Sequence, residues 1–137
     1  MLPQGFTRVE WIESTGEQYI DSGQIINKAD NRKIIMTAQF TSDTSLGGAN
    51  GYLQLKSDIA SGNKAEIVID YNGSTHVTSW YVNGTLTSSQ DWTYSYSGAN
   101  VKIGLFHLGD AENTWYTGAS PQIGKKWDWK LYAGDTL

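Results

Sequence analysis

The chain has 137 residues, 39% of them hydrophobic and only 18% charged, with a formal net charge of −4 and no cysteine. That length and apolar fraction suit one domain with one core. The acidic balance argues against nucleic acid or an anionic membrane surface as partner, because such binders carry a basic patch or stripe. The absence of cysteine removes disulfides, thiolate metal sites and a Cys nucleophile.

Lys125, Lys126 and Lys130 form the only local basic cluster, and Asp128 sits inside it. No apolar run approaches the roughly 20 residues needed to span a bilayer. Met1-Leu2-Pro3-Gln4-Gly5 lacks the basic and apolar regions of a signal peptide. Action outside a cell would therefore call for another export route or a larger parent chain.

In chain order, the dominant pattern is alternation with period two. In Lys33–Phe40, the residues Ile34, Met36, Ala38 and Phe40 point one way, and in Lys64–Tyr71 so do Ala65, Ile67, Ile69 and Tyr71. Asn72-Gly73 then predicts a tight turn into Thr75–Val82, and Asn83-Gly84 a second one into Thr85–Ser88. Asn-Gly is the strongest short hairpin signal because a type I′ turn needs positive φ at both central residues. Val101–Leu108 is apolar on both faces and reads as a central strand. In Lys125–Tyr132, Trp127, Trp129 and Leu131 share one face, against Lys126, Asp128, Lys130 and Tyr132 on the other. Further turns fall at Gly47-Gly48, Asn50-Gly51, Ser61-Gly62-Asn63 and Ser97-Gly98. No helical period extends over ten residues, and no internal repeat stands out. Short alternating strands between turn signals predict an all-β protein, an antiparallel β-sandwich with one wet face on its sheets.

Two segments carry a resemblance. Leu2-Pro3-Gln4-Gly5-Phe6, Val9-Glu10-Trp11-Ile12-Glu13-Ser14-Thr15-Gly16 and Gln18-Tyr19-Ile20-Asp21-Ser22-Gly23 together resemble the opening LPxGYxxxEYIESTGxQYIDTG. That opening begins modules of many phage tail proteins, distal-tail and baseplate proteins among them, and of Gram-positive surface proteins. The end, Lys125 to Leu137, is loosely similar to the closing segment of such modules, and Asn83-Gly84-Thr85-Leu86 to their middle hairpin.

The resemblance implies a concanavalin A-like, laminin-G-type jelly roll whose first and last strands lie side by side. Residues 1–137 would then be a single carbohydrate-binding-module-like β-sandwich domain excised from a larger chain. It further implies glycan binding, with a host cell-wall polysaccharide as partner, a parent tail or surface protein, and a place on the virion or the cell surface. No binding residue is carried over from it.

The same jelly roll hosts glucanases, which place carboxylates at alternate positions of one strand. Here Glu66 and Asp70 share a face, but Val68 stands between them. Four residues of strand separate them by about 13 Å at ~3.3 Å per residue. Glycosidase carboxyls lie roughly 5–9.5 Å apart, so no enzyme is expected.

Other catalytic and metal patterns are equally thin. There is no G-x-S-x-G elbow and no phosphate loop, since Gly47-Gly48-Ala49-Asn50-Gly51 lacks the Lys-Ser/Thr ending. His76 and His107 alone do not make a zinc site. Asp110, Glu112 and Asn113 in the loop Gly109–Thr114, and Asp21, Asp30 and Asp43 elsewhere, lack calcium-loop spacing. No cofactor or metal is expected.

Aromatics remain: six Trp and eight Tyr. Sugar rings present flat C–H faces that stack on aromatic rings, and their hydroxyls bond to short polar side chains. Three groups have that mixture. Trp92, Tyr94 and Tyr96 alternate onto one face. Asp110 and Asn113 stand in a polar loop that runs into Trp115 and Tyr116. His76, Thr78 and Trp80 alternate on the strand after Asn72-Gly73. Trp11, Trp127 and Trp129 read as core, since aromatics dominate cores as well. The sequence therefore points to a non-catalytic carbohydrate-binding module. The alternative is an assembly module that docks on another protein and binds no sugar.

Overall fold

The computed structural model describes residues 12–15, 20–40, 48–49, 52–53, 63–92, 101–105, 108–110, 114–115 and 123–134. Their regular structure is entirely strand: β1 (Ile12–Thr15), β2 (Ile20–Ile26), β3 (Arg32–Phe40), β4 (Gly48–Ala49), β5 (Ala65–Asn72), β6 (Val77–Val82), β7 (Thr85–Asp91), β8 (Val101–Leu105), β9 (Leu108–Asp110), β10 (Thr114–Trp115) and β11 (Ile123–Ala133). The protein is all-β. A six-stranded antiparallel sheet runs β1-β11-β3-β5-β6-β7, and a second, five-stranded sheet runs β10-β9-β4-β8-β2. The only parallel ladder among them joins β4 to β9. First and last strands are neighbours: Ile12 pairs with Lys126 and Thr15 with Ile123.

The alternation of β3 and β5 sets the inner face. Ile34, Met36 and Ala38 on β3 pair with Ile69, Ile67 and Ala65 on β5, and all six are buried. Tyr71 and Trp80 extend that face along β5 and across to β6. Ile26 from β2 and Val101 and Ile103 from β8 bring in the second sheet, so one buried cluster joins residues of both. Val101–Leu108 is not one strand: β8 ends at Leu105, between β4 and β2, and β9 starts at Leu108.

The two Asn-Gly turns differ. Asn83 (φ 51°) and Gly84 (φ 82°) both lie in the left-handed region, and Val82 pairs with Thr85 across them, a two-residue type I′ turn. At Asn72-Gly73 the expectation fails. Asn72 pairs with Val77, which leaves a four-residue loop, 73–76, in place of a two-residue turn. The Asn72 Oδ1 accepts from Ser74 N and Thr75 N, and the Asn72 carbonyl accepts from His76 N at 2.8 Å. The Asn side chain thus imitates a backbone turn and lengthens the loop. His76 closes it with φ 58°, so it is a turn residue and does not lie on β6. Gly73 is required for space: a Cβ there would meet the Ala29 carbonyl oxygen at 2.3 Å.

On β11 the expected alternation breaks. Lys126 pairs with Ala38, but Asp128 pairs with Thr37, so Trp127 is an extra residue, a β-bulge. One inserted residue moves everything on one side of it to the opposite face. Trp129 and Leu131 lie opposite Met36 and Ile34 on the inner face, as the alternation predicts. Lys126, expected on the polar face, also lies inward and is 2% exposed. Burial pushes its amine down to about 7. Trp127, expected in the core, is half-buried at the bulge with Lys64 Nζ 4.2 Å over its ring.

Candidate functional site

The residues singled out as sugar contacts fall in different places. Trp80 is 0% exposed and lies in the core; it is not available to stack on a ligand. Thr78 is equally buried. With His76 in the loop, the group His76, Thr78 and Trp80 is not an exposed face, because the strand's inner register carries Thr78 and Trp80 into the interior. Trp92 follows β7 and is half-buried against the core. Its indole Nε1 donates to Thr78 Oγ1 at 2.8 Å, and that hydroxyl donates to the Tyr52 carbonyl at 2.7 Å. The Trp92 ring stands edge-on to Tyr52 at 6.5 Å, and its backbone N–H donates to the His76 carbonyl. Tyr52 in turn lies 4.8 Å from Tyr71, whose hydroxyl donates to the Lys28 carbonyl at 2.6 Å and lies 3.4 Å from His76 Nδ1.

Trp92 and His76 therefore meet, in a network that ties the β5–β6 loop to the core. Thr78→Val should remove both hydrogen bonds made through the Thr78 hydroxyl, to the Trp92 indole N–H and to the Tyr52 carbonyl. The expected cost is ~1–3 kcal/mol, read as a lower urea midpoint with an unchanged m-value.

Asp110 ends β9 and pairs with Thr114, and Gly109 of β9 pairs with Trp115 of β10, which is at one end of the second sheet among the described strands. Asn113, Tyr116, Tyr94 and Tyr96 lie outside the described residues. Glu66, Val68 and Asp70 occupy the outward register of β5, with both carboxylates exposed. Among the described residues no group of three or more His, Asp or Glu is placed to hold a metal ion.

A concavity among the described residues lies elsewhere. A groove of about 520 Å³ opens between the edge strand β2 and the β3–β11 pair, lined by Ser22, Gln24, Arg32, Trp129, Leu131 and Ala133, with Lys130. Local sequence explains its shape. Among the described strands β2 is the edge of its sheet, and it is bulged, since Asp21 pairs with Gly104 but Gln24 with Ile103. Ser22 and Gly23 are the extra residues. Asp21 Oδ1 accepts from Gly23 N, Ser22 Oγ accepts from Gln24 N, and the Ser22 hydroxyl donates to the Ile103 carbonyl. Gln24 shares its register with buried Ile103, and hence its face, yet it is exposed. A polar side chain thus occupies a core-facing register and lines the groove.

Across the mouth stand Trp129 and Leu131, half-buried. Trp129 was expected in the core; it packs against the core and also lines the groove. Arg32 closes one end. Its Nη2 is 3.5 Å from Asp30 Oδ2 and its Nη1 donates to the Asn31 carbonyl at 3.1 Å. Asp30 Oδ2 is itself held by Asn27 N at 2.9 Å. Two contacts leave part of the five-donor guanidinium fork for a ligand. Lys130 pairs with Ile35 on the outer face, where its amine reaches Asp128 at 3.5 Å. The groove thus combines an aromatic wall, an aliphatic floor, an amide and a fixed arginine.

The fold and groove together define a class: an all-β protein with a concave groove whose lining is partly aromatic. Beyond that class no particular family is shown, because no protein-family model matches the chain and comparisons with curated proteins and with solved structures find no similar protein.

Proposed function

We propose that this protein is a non-catalytic carbohydrate-binding module that attaches a parent phage tail or bacterial surface protein to a host cell-wall polysaccharide. One observation supports saccharide binding above the others: a half-exposed Trp129 and an exposed Gln24, from different sheets, line one open groove of about 520 Å³. An aromatic ring offers a platform for the C–H face of a sugar, while Gln24 and Arg32 offer donors and an acceptor for hydroxyls. The volume falls within the range of ordinary ligand sites. The tail or surface setting, on the virion or the cell surface, rests on the resemblance of the Leu2–Gly23 opening alone. The non-catalytic part of the reading rests on Val68 standing between exposed Glu66 and Asp70.

A second reading, docking on another protein, draws on a different face. Ile35 pairs with Val68, Val68 with Tyr81 and Tyr81 with Leu86, a row of apolar residues across the outer face of the larger sheet. Leu86 is 56% exposed at its end. The experiment that separates the two is binding of the purified, labelled protein to Gram-positive cells and to their extracted wall polysaccharides. Trp129→Ala should weaken saturable binding at least ~10-fold, about 1.4 kcal/mol, while Leu86→Ser leaves it unchanged. Loss in Trp115→Ala with Trp129→Ala unaffected would move the site to β9–β10. No binding to any cell or polysaccharide would favour the docking reading.

A further inference from the structure

A second concavity, of about 190 Å³, adjoins the groove and is lined by Asn31, Arg32, Lys33, Asp70, Asn72 and Gly134, beside Tyr71. Arg32 lines both. The strand end of β11 is shared as well, with Ala133 lining the groove and Gly134 the smaller pocket. Gly134 N donates to the Asn31 carbonyl at 3.0 Å, which pins this rim. A Cβ built on Gly134 would meet nothing within 4 Å, so there is open space at that residue.

Resting on the saccharide reading above, we propose that the smaller pocket is a second subsite. The groove and the pocket would then hold adjoining rings of one linear, neutral saccharide, with Arg32 between them.

Three features carry this. The pocket has room for roughly six waters at ~30 Å³ each, the scale of one sugar ring. Its lining supplies both halves of hydroxyl recognition. Asn31 Oδ1 accepts from Gly73 N and Asn72 Oδ1 from Ser74 N, so each oxygen is engaged and each amide NH2 remains to donate. The exposed Asp70 carboxylate accepts. Finally, the charges balance in number: Lys33 and Asp70 are register partners on β3 and β5, with the Lys33 amine 5.6 Å over the Tyr132 ring, and Arg32 lies 3.5 Å from Asp30. A site with balanced charges offers an anionic polymer no net attraction, whereas neutral hydroxyls use cationic and anionic groups alike.

The test is calorimetric titration of the intact protein with size-fractionated oligosaccharides. These are released by partial hydrolysis of neutral Gram-positive wall polysaccharide, from the single unit upward. Affinity should rise at least ~10-fold from the single unit to the shortest fragment that spans both spaces. Asp70→Asn and Lys33→Met, both on the sheet's outer face, should each remove most of that gain and leave single-unit binding intact. Trp129→Ala should weaken every length, and raising the salt concentration should change little.

Affinity independent of length, or a full gain retained in both pocket variants, would overturn the second subsite while leaving the Trp129 reading in place. A steep fall of affinity with salt would overturn the neutral ligand. Absence of any binding would remove both readings together.

Discussion

Lys126→Met is expected to make the protein more stable at neutral pH and to flatten its pH dependence. Lys126 lies on the inner face, 2% exposed, and burial pushes its amine down to about 7 from 10.5. In the unfolded chain the amine keeps its ordinary value. Between about pH 7 and 10.5 the unfolded state therefore binds more protons than the folded state, and stability rises with pH. Below that window both states are protonated and the folded state bears the cost that burial puts on the ammonium. Above it both are neutral and the cost is gone. Each unit of depression corresponds to ~1.4 kcal/mol, so the cost at low pH is several kcal/mol.

Methionine keeps the unbranched shape of lysine without its charge, and replacing buried charge by an apolar side chain is often stabilising. Chemical denaturation at a series of pH values reads this directly. The wild type should gain stability from pH 7 to 9 at a slope approaching ~1.4 kcal/mol per pH unit, and Lys126→Met should start higher and lose most of that slope. A variant with the wild-type slope would show that Lys126 is not the group responsible. The gain has an upper limit, because burial also pushes the Tyr71 hydroxyl up to about 12. Its folded-state value exceeds the unfolded one, so the stability it contributes is lost as pH rises above about 10.

Trp80→Ala should cost ~3–5 kcal/mol, the usual range for removing a buried Trp. Trp80 is 0% exposed and sits between Ile69 on β5 and Ser88 on β7. Against a total stability of roughly 5–15 kcal/mol, that is enough to lower the urea midpoint substantially or to abolish folding at 37 °C. Trp129→Ala should cost less, because Trp129 is only partly buried. If Trp80→Ala were instead as stable as wild type, the inner-face register of β6 would be wrong, and the β6–β7 pairing with it.

These variants also mark where sequence patterns end. The inner faces of β3 and β5 were legible because period-two alternation runs unbroken through Ile34–Ala38 and Ala65–Tyr71. The turn at Asn83-Gly84 was legible because only a few residue types accept two successive positive φ values. Asn72-Gly73 misled, since the Asn72 side chain captures Ser74 N and Thr75 N and builds a longer loop. A capped loop and a two-residue turn share that dipeptide. The bulge at Trp127 left no mark: the alternation Lys-Trp-Asp-Trp-Lys reads perfectly as a flat strand, and only the pairing with β3 reveals the extra residue. That slip is what sends Lys126 inward.

The groove was hidden for a related reason. Trp129 has a core register on β11, and its partial exposure depends on where the edge of the other sheet falls. The signal that existed was local to β2: Asp21-Ser22-Gly23 offers the side-chain oxygens and glycine of a bulge, and a Gln follows in place of an apolar residue. Of the predicted contacts, His76, Thr78 and Trp80 alternate as an exposed face would, but alternation does not say which face is wet. Trp80 lies inside because its register partner Ile69 does.

The most direct test of saccharide binding at the groove follows the indole N–H signals of the 15N-labelled protein, assigned by single Trp→Phe variants, during titration with wall polysaccharide fragments. Progressive, saturable shift of the Trp129 signal, with the Trp80 signal unmoved, is the result expected. Shifts confined to other indoles, or a Trp129 signal that stays fixed while fragments bind, would contradict the groove as the site.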